Sequence, residues 1–246
     1  MMKTAPIMNA QRSRRSHVSL ILVPALALLL TSCATAPGTD PAAASVTQDA
    51  TQSDAAEMLL SLDISAVSTI VFQNTTDLGH RSAAVVTGTV HRWLAGDKVT
   101  TATGTPVGAA LLAEVEVIEV TENGGSPLQP GDIVYIPVTS PSLDPQEVAD
   151  ALPRDLDVVA YLDDALTDEE LQISEEYRVE PGDAEAAGKP RWPLLSPQGF
   201  IVTNPSDPGE QLWPFLGARA AGKLTDVLPG GRLDGLTEEQ RKLVIG

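Results

Sequence analysis

Ala110-Leu111-Leu112-Ala113-Glu114-Val115-Glu116-Val117-Ile118-Glu119-Val120 alternates with a period of two. Leu111, Ala113, Val115 and Val117 share one face, and Leu112, Glu114 and Glu116 fall mostly on the other. That is the pattern of a strand with one side on a core. Glu119 and Val120 break the phase, which predicts a β-bulge. Upstream, Ala83 to Trp93 places Val85, Val86, Thr89 and Val90 around Gly88, a strand whose glycine permits a bulge or a sharp bend. The Gly/Thr-rich stretch between the two, Leu94 to Val107, reads as a loop. Downstream, Asn123-Gly124-Gly125 through Pro130-Gly131 is a turn-rich connection. It leads into Asp132 to Val138, a short strand with Ile133, Val134, Tyr135 and Ile136 that is expected to be central.

Further strands and caps follow from the same reasoning. Asp157 to Asp163 carries Val158, Val159, Ala160, Tyr161 and Leu162, and Gly199 to Thr203 carries Phe200, Ile201 and Val202. An edge strand is expected at Tyr177 to Glu180 within an acidic loop. Asp144-Pro145-Gln146-Glu147 combines a cap residue, a proline at the first helical position and an early acid, so a helix to about Leu152 is expected. Thr167-Asp168-Glu169-Glu170 has the spacing of a capping box for one helical turn. Nearer the start, Asp54 to Leu62 reads as a short helix with Met58, Leu59 and Leu62 on one face, and Ser68 to Gln73 as extended chain. Asn74 to Asp77 reads as a turn or cap before a helical stretch around Leu78 to Ser82. Asn204 to Gly209 reads as a loop. Beyond it, Leu212, Trp213, Phe215 and Leu216 are expected to pack onto a barrel mouth, followed by helices at Ala218 to Leu228 and Thr237 to Ile245.

These elements predict a mainly β chain: a small antiparallel barrel or a strongly bent sheet, with short peripheral helices and long loops. Closing or bending the sheet would shield its edges. The segments AAVVTGTVHRW (83–93), AEVEVIEVTENGG (113–125) and GDIVYIPV (131–138) are similar to OB-like domains of bacterial extracytoplasmic proteins. That resemblance spans about Ala83 to Val202, implies an OB-like barrel and carries no functional residues with it.

The start of the chain has a different character. Lys3, Arg12, Arg14 and Arg15 precede a thirteen-residue apolar run, Val18 to Leu30, that contains Pro24. A membrane span needs about 20 helical residues, so this run is too short to be one. It ends in Leu30-Thr31-Ser32-Cys33, which resembles the lipobox of bacterial lipoprotein signal peptides. The resemblance implies cleavage before Cys33, diacylation of the only cysteine in the chain, and a lipid-anchored protein on the extracytoplasmic face of a cell membrane. Its membrane partner would be lipid, held through Cys33, since two acyl chains anchor stably where one does not. The alternatives are an ordinary secretory signal with an incidental cysteine, or an uncleaved anchor. Ser13-Arg14-Arg15-Ser16 contains a twin-arginine pair, but His17 and Val18 depart from the pattern that should follow, and a basic leader also accounts for the arginines. Residues 33–54 are small and polar with Pro37, Gly38 and Pro41, a tether reaching roughly 25 Å. Residues 55–246 then form a single β-rich domain, core about 83–203, with a helical appendage at its end.

Charge narrows the partners. The chain carries 16 Lys+Arg against 33 Asp+Glu, a formal charge of −17, and four of those cations lie before Cys33. A surface this acidic argues against nucleic acid, which demands basic patches. A protein, an envelope polymer or a small ligand is the partner class left open. The candidate reactive groups are His80 and His91, but Gly-x-Ser-x-Gly and Ser-x-x-Lys are absent. His-Glu-x-x-His and cysteine pairs are also absent, so no metal or other cofactor is expected. Asp155, Asp157, Asp163, Asp164, Asp168, Glu169 and Glu170 flank one strand without the order of a calcium loop, and they read as solvated charge. Arg191-Trp192-Pro193 and Leu212-Trp213-Pro214-Phe215 either line a ligand groove or cap the core. With no catalytic residue identified, a non-catalytic binding or structural domain is expected. An envelope hydrolase with an unrecognised site is the alternative.

Overall fold

The structure is a computed structural model that describes residues 54–62, 72, 74–167, 169–170 and 177–231. The export signal, Cys33, the tether up to residue 53, all of the Ser68–Gln73 stretch except Phe72, Asp168 of the capping box and the helix at Thr237–Ile245 lie outside those residues.

The chain is mainly β. Its helices are α1 (residues 54–60), α2 (Thr75–Arg81) and α3 (Pro145–Ala151). Its strands are β1 (Ala84–Thr101), β2 (Pro106–Asn123), β3 (Ile133–Thr139), β4 (Leu156–Leu162), β5 (Tyr177–Glu180), β6 (Phe200–Asn204), β7 (Asp207–Trp213) and β8 (Ala218–Ala221). They form one antiparallel sheet in the order β3-β2-β1-β4-β6-β7-β8, with β5 paired to the far half of β1. The sheet is open rather than closed into a barrel. At one end, the free side of β3 is covered by loop: Arg191 bridges to Tyr135, and Trp192 N–H donates to the Tyr135 carbonyl at 2.9 Å. At the other end stands β8, only four residues long, and a short edge strand offers little backbone for unwanted pairing.

The alternation read from β2 holds through the sheet and extends to both of its faces. Leu111, Ala113, Val115 and Val117 enter one core with Val134 and Ile136 of β3, Val158 and Ala160 of β4, Phe200 and Val202 of β6, and Leu212 of β7. Leu59 of α1, Leu62 just after it and Leu152 at the end of α3 cover this side. Residues of the opposite phase, Val85, Val159, Tyr161, Ile201 and Trp213, form a second core under Leu78 of α2. β4 is buried on both sides, which is why it reads as an unbroken apolar run. Phe200 links the aromatics of the first core, with ring centroids 6.2 Å from Trp93 and 5.2 Å from Phe215.

The bulges fall near where the broken phase placed them. Thr87 pairs with Glu119 but Gly88 with Val117, so Ile118 is the extra residue. Gly88 is required there because a Cβ on it would sit 2.3 Å from the Glu116 carbonyl oxygen. A second bulge adds His91 to β1, and such irregularities bend and twist a strand. The Asn74 cap also appears, its side chain accepting from Asp77 N–H at 2.8 Å. Thr167 N–H and its hydroxyl both donate to Glu170 at 2.9 Å, the side-chain half of a capping box.

Several expectations are corrected. Leu94–Val107 is mostly strand: β1 runs to Thr101 and turns tightly through Thr101 N–H donating to the Thr105 carbonyl at 2.8 Å. A register shift around Gly96 and Asp97 lets pairing continue past the glycine. β3 is terminal rather than central, its apolar outer face accounted for by Tyr135 packing near Ala186. Asn204–Gly209 is not wholly loop, because β7 begins at Asp207. Ala218–Leu228 is β8 and a 3-10 turn at Leu224–Val227 rather than a helix. Pairing with β7 overrides the helical preference of its alanines. With no barrel there is no mouth to cap, and Trp213 and Phe215 sit in the two cores instead.

Candidate functional site

Pairing of β7 with β6 on one side and β8 on the other sets the phase of Gln211, Leu212 and Trp213. Leu212 enters the first core, so Gln211 and Trp213 share the opposite face. The chain leaves β8 at Gly222, makes the 3-10 turn at Leu224–Val227 and returns through Pro229, Gly230 and Gly231. Between this return and the strand pair lies a pocket of about 630 Å³, lined by Gln211, Trp213, Gly222, Thr225 and Asp226 among others.

Two groups in this pocket lack partners. Gln211 is 3% exposed and Trp213 1%, and neither Gln211 Nε2 nor Trp213 Nε1 makes a hydrogen bond. A buried unsatisfied donor costs roughly 1–3 kcal/mol. Elsewhere the fold satisfies the same groups. Trp93 Nε1 donates to the Pro153 carbonyl at 3.0 Å. The Gln198 carboxamide is paired twice, accepting from Phe72 N–H at 2.8 Å and donating to the Phe72 carbonyl at 3.2 Å. Trp213 packs in the second core and is also among the residues that line the pocket.

The return segment is tied down by three hydrogen bonds, to β4 and to α2. The Tyr161 hydroxyl of β4 donates to the Val227 carbonyl. Thr75 of α2 donates to the Gly231 carbonyl at 2.8 Å, and Gly230 N–H donates to the Thr76 hydroxyl at 3.1 Å. Burial pushes the Tyr161 phenol well above its ordinary range, so it stays a neutral donor. Asp226, the one charged lining residue among the described residues, accepts from Lys223 N–H at 2.9 Å. Gly222, at φ +153°, has no side chain to fill the gap, and a Cβ there would lie 3.1 Å from Gln211 Nε2 and 3.2 Å from Asp226 Oδ2.

Two other polar groupings are structural. Arg92, Glu114 and Tyr135 form a row across β1, β2 and β3, with Arg92 bidentate on Glu114 at 3.0 Å and also bound by Glu185. Burial, followed by the charge of Glu114, raises the Tyr135 phenol. Arg191 is buried and donates to the carbonyls of Ala186 and Lys189, both at 2.7 Å, which pins the loop that covers β3.

The residues singled out from the sequence do not converge. His80 is exposed in the last turn of α2. His91 lies in its bulge between two carboxylates, Glu116 at 2.6 Å and Asp155 at 3.4 Å. Those hydrogen bonds, Glu116 first, raise its pKa, and both ring nitrogens face acids rather than a serine hydroxyl. Asp155, at φ +55°, and Asp157 precede the core of β4, whereas Asp163 and Asp164 follow its end, a strand length of about 23 Å away. Glu169 and Glu170 are exposed, and hydrogen bonds from Thr167 lower the Glu170 carboxyl. Among the described residues no group of three or more His, Cys, Asp or Glu side chains could hold a metal ion. Trp192 and Phe215 pack in the first core. Sequence reasoning noticed Trp213 but missed Gln211, whose only signal was a polar residue alternating with Leu212. No family model, curated protein or solved structure matches the chain.

Proposed function

We propose that the chain is a lipid-anchored extracytoplasmic protein whose β-rich body is a non-catalytic binding domain, with its ligand entering the pocket beside Gln211 and Trp213. The anchoring half rests on the basic leader, the short apolar run and Leu30-Thr31-Ser32-Cys33. The binding half rests on one observation: a pocket of about 630 Å³ lies between β7, β8 and the 224–231 return, with Gln211 and Trp213 among its lining residues. Anchoring is tested by expressing the full chain and Cys33→Ser in a bacterial host fed labelled palmitate. Wild type takes up label and fractionates with membranes, while the variant does neither. Equal labelling of the two removes the anchor. A hydrolase panel on the detergent-solubilised chain tests the other half, since turnover lost with His91→Gln replaces binding by catalysis.

A further inference from the structure

We infer that His91 works as a proton-operated latch: carrying two N–H groups it holds both Glu116 and Asp155, and on losing one proton it keeps Glu116 and lets go of Asp155, loosening the α3–β4 junction. What faces the ring decides this. Nε2 lies 2.6 Å from Glu116 Oε2, and Nδ1 lies 3.4 Å from Asp155 Oδ1. An ionised carboxylate only accepts, so both contacts hold together only when both ring nitrogens carry hydrogen. A neutral imidazole has one N–H, and its bare nitrogen would face a carboxylate oxygen. The two hydrogen bonds raise the ring's pKa, in the same sense. The other charged groups nearby are engaged or turned to solvent. Arg92 of β1 is held by Glu114 and Glu185. Glu119 of β2 stands opposite Thr87, and Asp157 of β4 opposite Thr89. Arg154 is exposed beside Asp155, and α3 carries exposed Glu147 and Asp150, the latter accepting from Gln146 at 2.9 Å.

Backbone position decides which contact opens. Glu116 is fixed on both sides, its strand paired there with Thr89 of β1 and with Ile133 of β3. Asp155 belongs to no strand, and its side chain is 79% exposed against 46% for Glu116. Among the described residues it is also the one non-glycine residue with positive φ, at +55°, a conformation that persists only when its surroundings support it. The remaining proton therefore stays on Nε2, and the lone pair of Nδ1 is left facing the Asp155 carboxylate. What this frees is short. The Pro153 carbonyl, two residues before, accepts from Trp93 Nε1 at 3.0 Å, and Leu156, one residue after, is buried in the first core. Ala149 and Leu152 hold α3 in the same core. The slack is thus confined to residues 153–155, and the Trp93 indole is bonded at its edge.

The full chain, ¹⁵N-labelled and solubilised in detergent, is followed by NMR from pH 5.5 to pH 8.5. It has three histidines and three tryptophans, and His91→Gln and Trp93→Phe assign the two signals needed. Ring nitrogen shifts should show neutral His91 with its hydrogen on Nε2. Hydrogen on Nδ1 would make Glu116 the contact released, and that overturns the latch. Over the same titration the exchange protection of the Trp93 indole, referred to free tryptophan at each pH, should fall roughly two- to fivefold with the midpoint of His91. Asp155→Asn supplies the control. Asparagine tolerates the left-handed backbone, and its carboxamide can turn either its oxygen or its NH₂ toward Nδ1, so the junction stays closed in both protonation states. Trp93 protection in that variant should not follow His91. Protection that stays constant in wild type, or that falls equally in Asp155→Asn, overturns the proposal.

Discussion

His91 Nε2 lies 2.6 Å from Glu116 Oε2 across β1 and β2, at the point where β1 carries one residue more than its partner. The bulge turns His91 out of the ladder, and Asp155, held at φ +55° just before β4, closes on the other ring nitrogen at 3.4 Å. The imidazole thus joins the β1–β2 hairpin to the start of β4.

This arrangement predicts a pH-dependent contribution to stability. The folded pKa of His91 is raised above its ordinary 6.5, first by the Glu116 hydrogen bond and then by that to Asp155. The ion pair therefore stabilises fully below that ordinary value and fades as pH rises through the folded one. The melting temperature of wild type should exceed that of His91→Gln at pH 5.5, and the gap should narrow by pH 8.5. Both partners are about half exposed, so the effect is a few tenths to about 1 kcal/mol. A gap that widens with pH would contradict the assigned pairing.

Gly88→Ala should destabilise by about 3 kcal/mol. Its Cβ would meet the Glu116 carbonyl oxygen at 2.3 Å and Val115 Cγ1 at 2.9 Å, and a paired backbone cannot yield as a flexible side chain can. Urea unfolding at one pH measures the loss, and a midpoint equal to that of wild type would place the bulge elsewhere.

The two buried glutamines should respond oppositely to the same change. Gln198→Leu leaves Phe72 N–H and its carbonyl unpaired, a loss of roughly 2–4 kcal/mol. Gln211→Leu removes a donor that already lacks a partner and should be neutral within about 1 kcal/mol, or stabilising. Denaturant midpoints of the two variants side by side test this, and equal losses would mean that Gln211 is satisfied in the folded protein.

Tyr161→Phe should cost about 1 kcal/mol through the lost bond to the Val227 carbonyl. Its larger effect is local. Amide exchange at Leu228 and Gly231, whose N–H groups donate to Thr225 and Leu228, should accelerate more than exchange in β4. Uniform acceleration would show that the return segment is not separately anchored.

The elements that were legible in sequence share one property: their signals are local. The faces of β2, the apolar run of β4, the edge strand β5 at Tyr177–Glu180 and the proline-started α3 each follow from spacing within a few residues. The far half of β1 was hidden by Gly96 and its threonines, which read as loop until β2 and β5 are seen to pair on either side. β7 was hidden by Pro208 and Gly209, and β8 by alanines that favour helix in isolation. The candidate site was legible only as an aromatic run at Leu212 to Phe215. A single glutamine in a polar stretch carries no signal, and Gln211 is buried because β6 and β8 pair on either side of its strand.

Alternation and cap chemistry in the chain itself were enough to determine a mainly β protein, the inward face of its principal strand and, to within a residue or two, one of its bulges, because side-chain direction along a strand is a local consequence of the backbone. Which strands are neighbours, whether the sheet closes, and which buried donors go without partners were decided only in three dimensions. Those depend on segments far apart in the chain, as when Thr75 reaches Gly231 and Tyr161 reaches Val227 to wall a pocket around Gln211 and Trp213.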